Sequence, residues 1–170
     1  MSPDTVLRAG EHKPAPREIV TFLPFLLVGL VPPFSPFFVA ALEAYAIHLV
    51  HLTPNAILTL AIFAHACEMF FRVAPSVEIF CHFFSLCQLS VVVLGVGAAA
   101  QPKIVGGCYF RIQQGRQDEF IPIQMMGKWE EWEKQWLYTE VGHDSPFLRL
   151  SDVAPQKHSG WGEHPGLGAG

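Results

Sequence analysis

His48, His51, His65 and Cys67 lie within twenty residues of one another, and imidazole and thiolate groups at that density are the raw material of a metal site. A structural zinc site needs four ligands converging on one point, supplied mostly as closely spaced pairs. His48 and His51 stand at i and i+3 and can share a helix face. His65 and Cys67 are two apart, so on a helix they diverge by about 200°. Cys81 and His82 are adjacent and diverge as well. These residues are therefore expected to be structural, with no metal and no cofactor held among them.

Carboxylate chemistry is no better provided. Two-metal nucleic-acid enzymes gather several carboxylates around divalent ions. The four aspartates, Asp4, Asp118, Asp144 and Asp152, fall in the leader, a turn, the region just past the last ordered piece, and the tail. Glu43, Glu68 and Glu78 look buried but belong to different helices. The chain has no P-loop, no G-x-S-x-G, no H-E-x-x-H and no Cys–His signature of a thiol enzyme. The expectation is a chain with no catalytic residues, not an enzyme. The remaining candidate is aromatic. In "KWEEWEKQWLY", Trp129, Trp132 and Trp136 fall at i, i+3 and i+7, one face of a helix. Stacking on bases would need a basic groove, whereas Glu130, Glu131 and Glu133 outnumber Lys128 and Lys134. The three tryptophans are expected to form an interaction face, docked on the core or on a protein partner.

The elements that must position these groups can be read from caps and breaks. Ser35-Pro36 and Thr53-Pro54 are each a good N-cap followed by proline at the first helical position. They predict helices over about 36–52 and 54–73, the second apolar almost all round and so covered on every side. "IVTFLPFLLVGL" (19–30) reads as a short helix and "SVEIFCHFFSL" (76–86) as another. "CYFRI" and "EFIPI" predict a β-hairpin at about 108–124 around Gly115, with Pro122 placing the second strand at an edge. Residues 128–138 read as a short helix running into a strand near 137–141. The fold class expected is α+β, mainly helical, with three to four helices and a small hairpin or sheet. The expected organisation is a disordered leader (1–18), one domain (19–141) and a disordered tail (142–170).

Composition sets the outer bounds. The chain is 51% hydrophobic, 15% charged and carries a formal net charge of −4. The eleven basic residues are scattered, which does not suit a surface that wraps nucleic acid. Four cysteines in apolar surroundings, without a CxxC pair or a signal peptide, suggest free thiols in a reducing, intracellular compartment, nucleus or cytoplasm. Residues 79–101 carry no formal charge over a length that could span a bilayer. His82, Ser85, Gln88 and Ser90 and the soluble-type caps oppose a span there, and membrane anchoring is the minority reading.

"FFVAALEAYAIHLVHLTPNAI" and "FAHACEMFFRVAPSVEIFCHFFSL", with "GGCYFRIQQG", "FIPIQ" and "KWEEWEKQWLYTEV" further on, closely resemble the gypsy-type transposase domain of plant proteins associated with Ty3/gypsy retrotransposons. The resemblance covers about 17–86 and 106–141. Residues 87–105 depart from that family's basic, polar connector, and the chain stops short of the usual continuation, which implies a truncated copy. The motifs shared are packing and capping residues, with no catalytic group to carry over. The reading that results is a non-catalytic scaffold or interaction domain, with a protein partner or self-association. A nucleic-acid-associated accessory of transposition and a membrane-anchored protein are its alternatives.

Overall fold

A computed structural model of the chain describes residues 15–91, 99–120, 127–142 and 144–162. The fold is mixed α+β, as expected. It begins with a strand, β1 (Glu18–Phe22), which runs directly into the short helix α1 (Leu23–Leu27). The predicted single helix over 19–30 is thus half strand. The apolar run "IVTF" is β-branched and its length suits either element. What decides is a remote partner: β1 pairs antiparallel with β6 (Trp136–Glu140), Ile19 opposite Thr139 and Phe22 opposite Trp136.

The next two helices start where the caps placed them. Ser35 Oγ accepts from Phe38 N–H (3.2 Å) and opens α2 (Pro36–Tyr45). Thr53 Oγ1 accepts from Ala56 N–H (3.1 Å) and opens α3 (Pro54–Ala66). α2 stops at Tyr45, short of the expected 52, because Ala46 turns left-handed (φ +50°). A 3-10 turn at Leu49–His51 follows. α3 continues as one π turn, Cys67–Phe71, closed by Arg72 at φ +53°. The helix predicted over 54–73 is therefore present. It is not covered on every side: Phe63, Ala66 and Cys67 are buried, while Met69, Phe70 and Phe71 are exposed. By length and composition, Pro54–Phe71 is the one helix among the described residues that could cross a membrane, and less than half of it is buried.

Ser76 caps α4 (Val77–Phe83). The chain then switches to strand, β2 (Phe84–Gln88), where a helix to 86 was expected. β2 pairs antiparallel with β5 (Cys108–Ile112), Leu86 opposite Phe110. β3 (Ser90–Val91) pairs with β4 (Gln101–Pro102). The uncharged run 79–101 is consequently not one helix, although 92–98 lie outside the described residues. Of the hairpin expected around Gly115, "CYFRI" is a strand and takes β2 as a partner, residues 117–119 form a turn, and 121–126, with most of the second strand, lie outside the described residues.

The core is aromatic. Phe63 stacks on Phe37 (5.4 Å between ring centres) and meets Phe80 edge-on (5.1 Å). Phe80 in turn packs on Phe84 (4.7 Å) and Phe110 (4.9 Å). Offset and edge-to-face pairs of this kind add to the burial of their area.

Residues 144–162, expected as a disordered tail, are part of this body. Their Gly and Pro content had masked what they carry. Trp161 is fully buried and its Nε1–H donates to the Tyr45 carbonyl (2.7 Å). Gln88 Nε2 donates to the Pro155 carbonyl (3.0 Å). The expected leader falls mostly on 1–14, outside the described residues; Glu18 already belongs to β1.

Candidate interaction groove

The three tryptophans do not share a helix face. Residues 128–138 form a 3-10 turn, Trp132–Lys134, between a left-handed Glu131 (φ +51°) and β6. Trp136 lies on β6 with its ring against Tyr138 (5.7 Å), two positions along the same strand face. Trp132 points into the body, where its indole meets Phe22 edge-on (4.9 Å) and Phe25 at a tilt (5.4 Å). It also lies over Gly106, a residue at φ +60° where an added Cβ would overlap the indole ring. Glycine is needed there for both reasons.

Trp129 and Trp136 are both half-buried, and of these two Trp129 stands beside open space. With Trp132 it lines a groove of about 770 Å³, walled by Pro54, Leu89, Tyr109 and Phe110. The volume is that of an ordinary ligand cleft. Trp129 Nε1 is shielded and has no acceptor among the described residues, so the ring acts there as an apolar wall. Glu130, Glu131 and Glu133 stand along the edge with Lys103 and Lys128. Glu133 is paired with Lys103 (2.8 Å) and Glu131 with Lys134. Sequence reasoning found Trp129 and Trp132 but missed Tyr109, Leu89 and Pro54. These come from β5, the link between β2 and β3, and the start of α3, and no periodicity links them.

The groove is framed by backbone bonds from those elements. Thr53 N–H donates to the Cys108 carbonyl (3.0 Å), Gly106 N–H to Val50 (2.9 Å) and Leu89 N–H to Gly107 (2.7 Å). A Cβ on Gly107 would overlap the Lys103 carbonyl, so this corner is fixed at close range.

The histidines serve the tail. His51 Nδ1 accepts from His48 N–H (3.0 Å), which leaves Nε2–H to donate to the Val153 carbonyl (3.0 Å). His48 Nδ1–H donates to the Arg149 carbonyl (3.0 Å). Burial lowers the His51 pKa to about 4, against a smaller upward pull from the Val153 bond, so the ring is neutral. His65 is exposed and Cys67 buried. Among the described residues no three His, Cys, Asp or Glu side chains are grouped to hold an ion. The thiols of Cys67, Cys87 and Cys108 are raised chiefly by burial, Cys108 to about 12, so none is poised as a nucleophile. Glu43, Glu68 and Glu78, which look buried in the sequence, are all exposed. Glu68 and Arg72 stand four apart in the sequence but form no ion pair, because the π turn and the left-handed Arg72 remove the i, i+4 geometry that a helical pair needs.

Residues 19–88 match the model of a family described as "Putative gypsy type transposon". The span coincides with the first of the two stretches that carry the resemblance and leaves 106–141 outside it. No curated protein and no solved structure matches the chain.

Proposed function

We propose that this chain, which carries in residues 19–88 a segment of the gypsy-type transposon family, is a non-catalytic interaction module that holds an extended peptide in the groove beside Trp129. The observation that carries the reading is the groove itself: an open aromatic cleft built from four parts of the chain and edged by three carboxylates and two ammonium groups. Aromatic walls with a proline and a leucine suit proline-rich segments, whose preformed extended helix loses little entropy on docking. Glu130, the edge carboxylate in neither the Lys103 nor the Lys134 ion pair, can take a Lys or Arg beside them. Catalysis has no comparable support, since the candidate carboxylates are exposed on separate elements and the buried thiols are protonated.

The test titrates the purified chain with short Pro-x-x-Pro peptides flanked by Lys or Arg, and with the same peptides flanked by Glu, following tryptophan fluorescence. The basic set is expected to bind, and Trp129→Ala to weaken it about tenfold or more, as removal of an aromatic anchor does. The Glu-flanked set is expected to bind more weakly. No peptide binding, together with DNA or RNA binding that weakens steeply with salt, would replace this reading with an accessory of transposition. Metal-dependent nicking lost in Glu68→Gln or Glu78→Gln would make the chain an enzyme.

A further inference from the structure

Phe63, Ala66 and Cys67 are buried, and a regular helix would carry that stripe on to Phe70 and Phe71. Instead the helix enters its π turn and runs past the core. Met69, Phe70 and Phe71 are then 62%, 71% and 58% exposed, and Val73 and, on the following helix, Ile79 are nearly half exposed. π turns of this kind recur at functional positions. Apart from an edge-on approach of Phe70 to His65 (6.4 Å), the three side chains have no aromatic neighbour in the described body.

From these features we infer that the overhang between α3 and α4 is a self-association surface, on which a second copy of this chain docks about a two-fold axis. Area is the first argument. An exposed aromatic or methionine side chain presents roughly 200 Å², so the five residues together display on the order of 500 Å² of apolar surface. A dimer interface of ordinary size covers about 800 Å² on each partner, of which about 65% is apolar in homodimers. The overhang supplies that apolar share.

Charge is the second argument. Glu68 and Arg72 flank the three large side chains, and Glu78 opens the next helix; none of the three is in an ion pair. A two-fold axis brings a patch against itself, so both signs must be present for it to be self-complementary. Here Arg72 of one copy can meet Glu68 of the other. A lipid surface would call for the opposite edge, since anionic headgroups attract clustered Lys and Arg and two carboxylates stand here beside one guanidinium.

The experiment measures the mass of the full chain in solution by light scattering and sedimentation over a micromolar concentration series. A monomer–dimer equilibrium is expected for the unaltered chain. Phe70→Glu and, as a second variant, Phe71→Lys should weaken the dimer tenfold or more, with circular dichroism unchanged because both positions face solvent. Arg72→Glu should weaken it too, and Glu68→Arg added to Arg72→Glu should restore it, which loss of fold would not do. Trp129→Ala should leave the dimer intact, so this result stands apart from the fate of the peptide groove. A chain that is monomeric throughout the series overturns the inference. So does a dimer indifferent to both aromatic variants, or a monomer that binds vesicles of phosphatidylserine and loses them in Phe70→Glu.

Discussion

At His51 both ring nitrogens are committed, one to the His48 amide and the other to the Val153 carbonyl. The ring type that suggested a metal ligand is used as a two-ended hydrogen-bond link between the α2–α3 connection and the tail. The link depends on a neutral ring. With the folded pKa lowered to about 4 from an ordinary 6.5, the unfolded chain takes up the proton first. Stability from this group is therefore complete above about pH 6.5 and declines as the pH falls toward 4, by about 3 kcal/mol in all. Urea midpoints compared at pH 7.5 and 5 should show about 2 kcal/mol of that loss. The variant His51→Gln keeps a donor for Val153 and cannot titrate, so it should lose this part of the pH dependence.

Among the elements, the helix starts and the strands at "CYFRI" and near 137–141 were legible in the sequence, while β1, β2 and the strand pairings were not. Ser35, Thr53 and Ser76 each act within three residues: the side chain accepts from an amide one turn ahead. Nothing distant is required, so local chemistry suffices to read them. Thr53→Ala should cost about 1 kcal/mol, read as a lower denaturation midpoint with an unchanged slope. β1 and β2, in contrast, are apolar or aromatic runs that periodicity assigns to either element. Their partners decide, and these lie far along the chain. The same holds for the groove. Its two tryptophans were visible as a motif, while Tyr109, Leu89 and Pro54 join them only through β2–β5 pairing and the Thr53–Cys108 bond.

For the whole molecule, the tail matters more than its composition implies. The Tyr45 carbonyl, at the end of α2, accepts from both Trp161 Nε1–H (2.7 Å) and His158 Nε2–H (2.9 Å). Trp161 itself is fully buried. Trp161→Ala should therefore behave as a core truncation, costing about 3–5 kcal/mol, seen as a fall in denaturation midpoint and as dispersal of the aromatic near-ultraviolet dichroism. A surface residue in a loose tail would leave both unchanged. The body is also larger than the family match. β1 and β2 lie inside residues 19–88, but their partners β6 and β5 lie outside.

That arrangement has a consequence for synthesis in the cell. Phe22 meets Trp136, over a hundred residues later in the chain. At a translation rate of about 5–20 residues per second, β1 must wait on the order of ten seconds after leaving the ribosome before its partner exists. During that wait its amides and carbonyls form an open edge beside "TFLPFLL", and such edges recruit other chains. The yield of the nascent protein should therefore depend on ribosome-associated chaperones more than the stability of the finished fold would suggest.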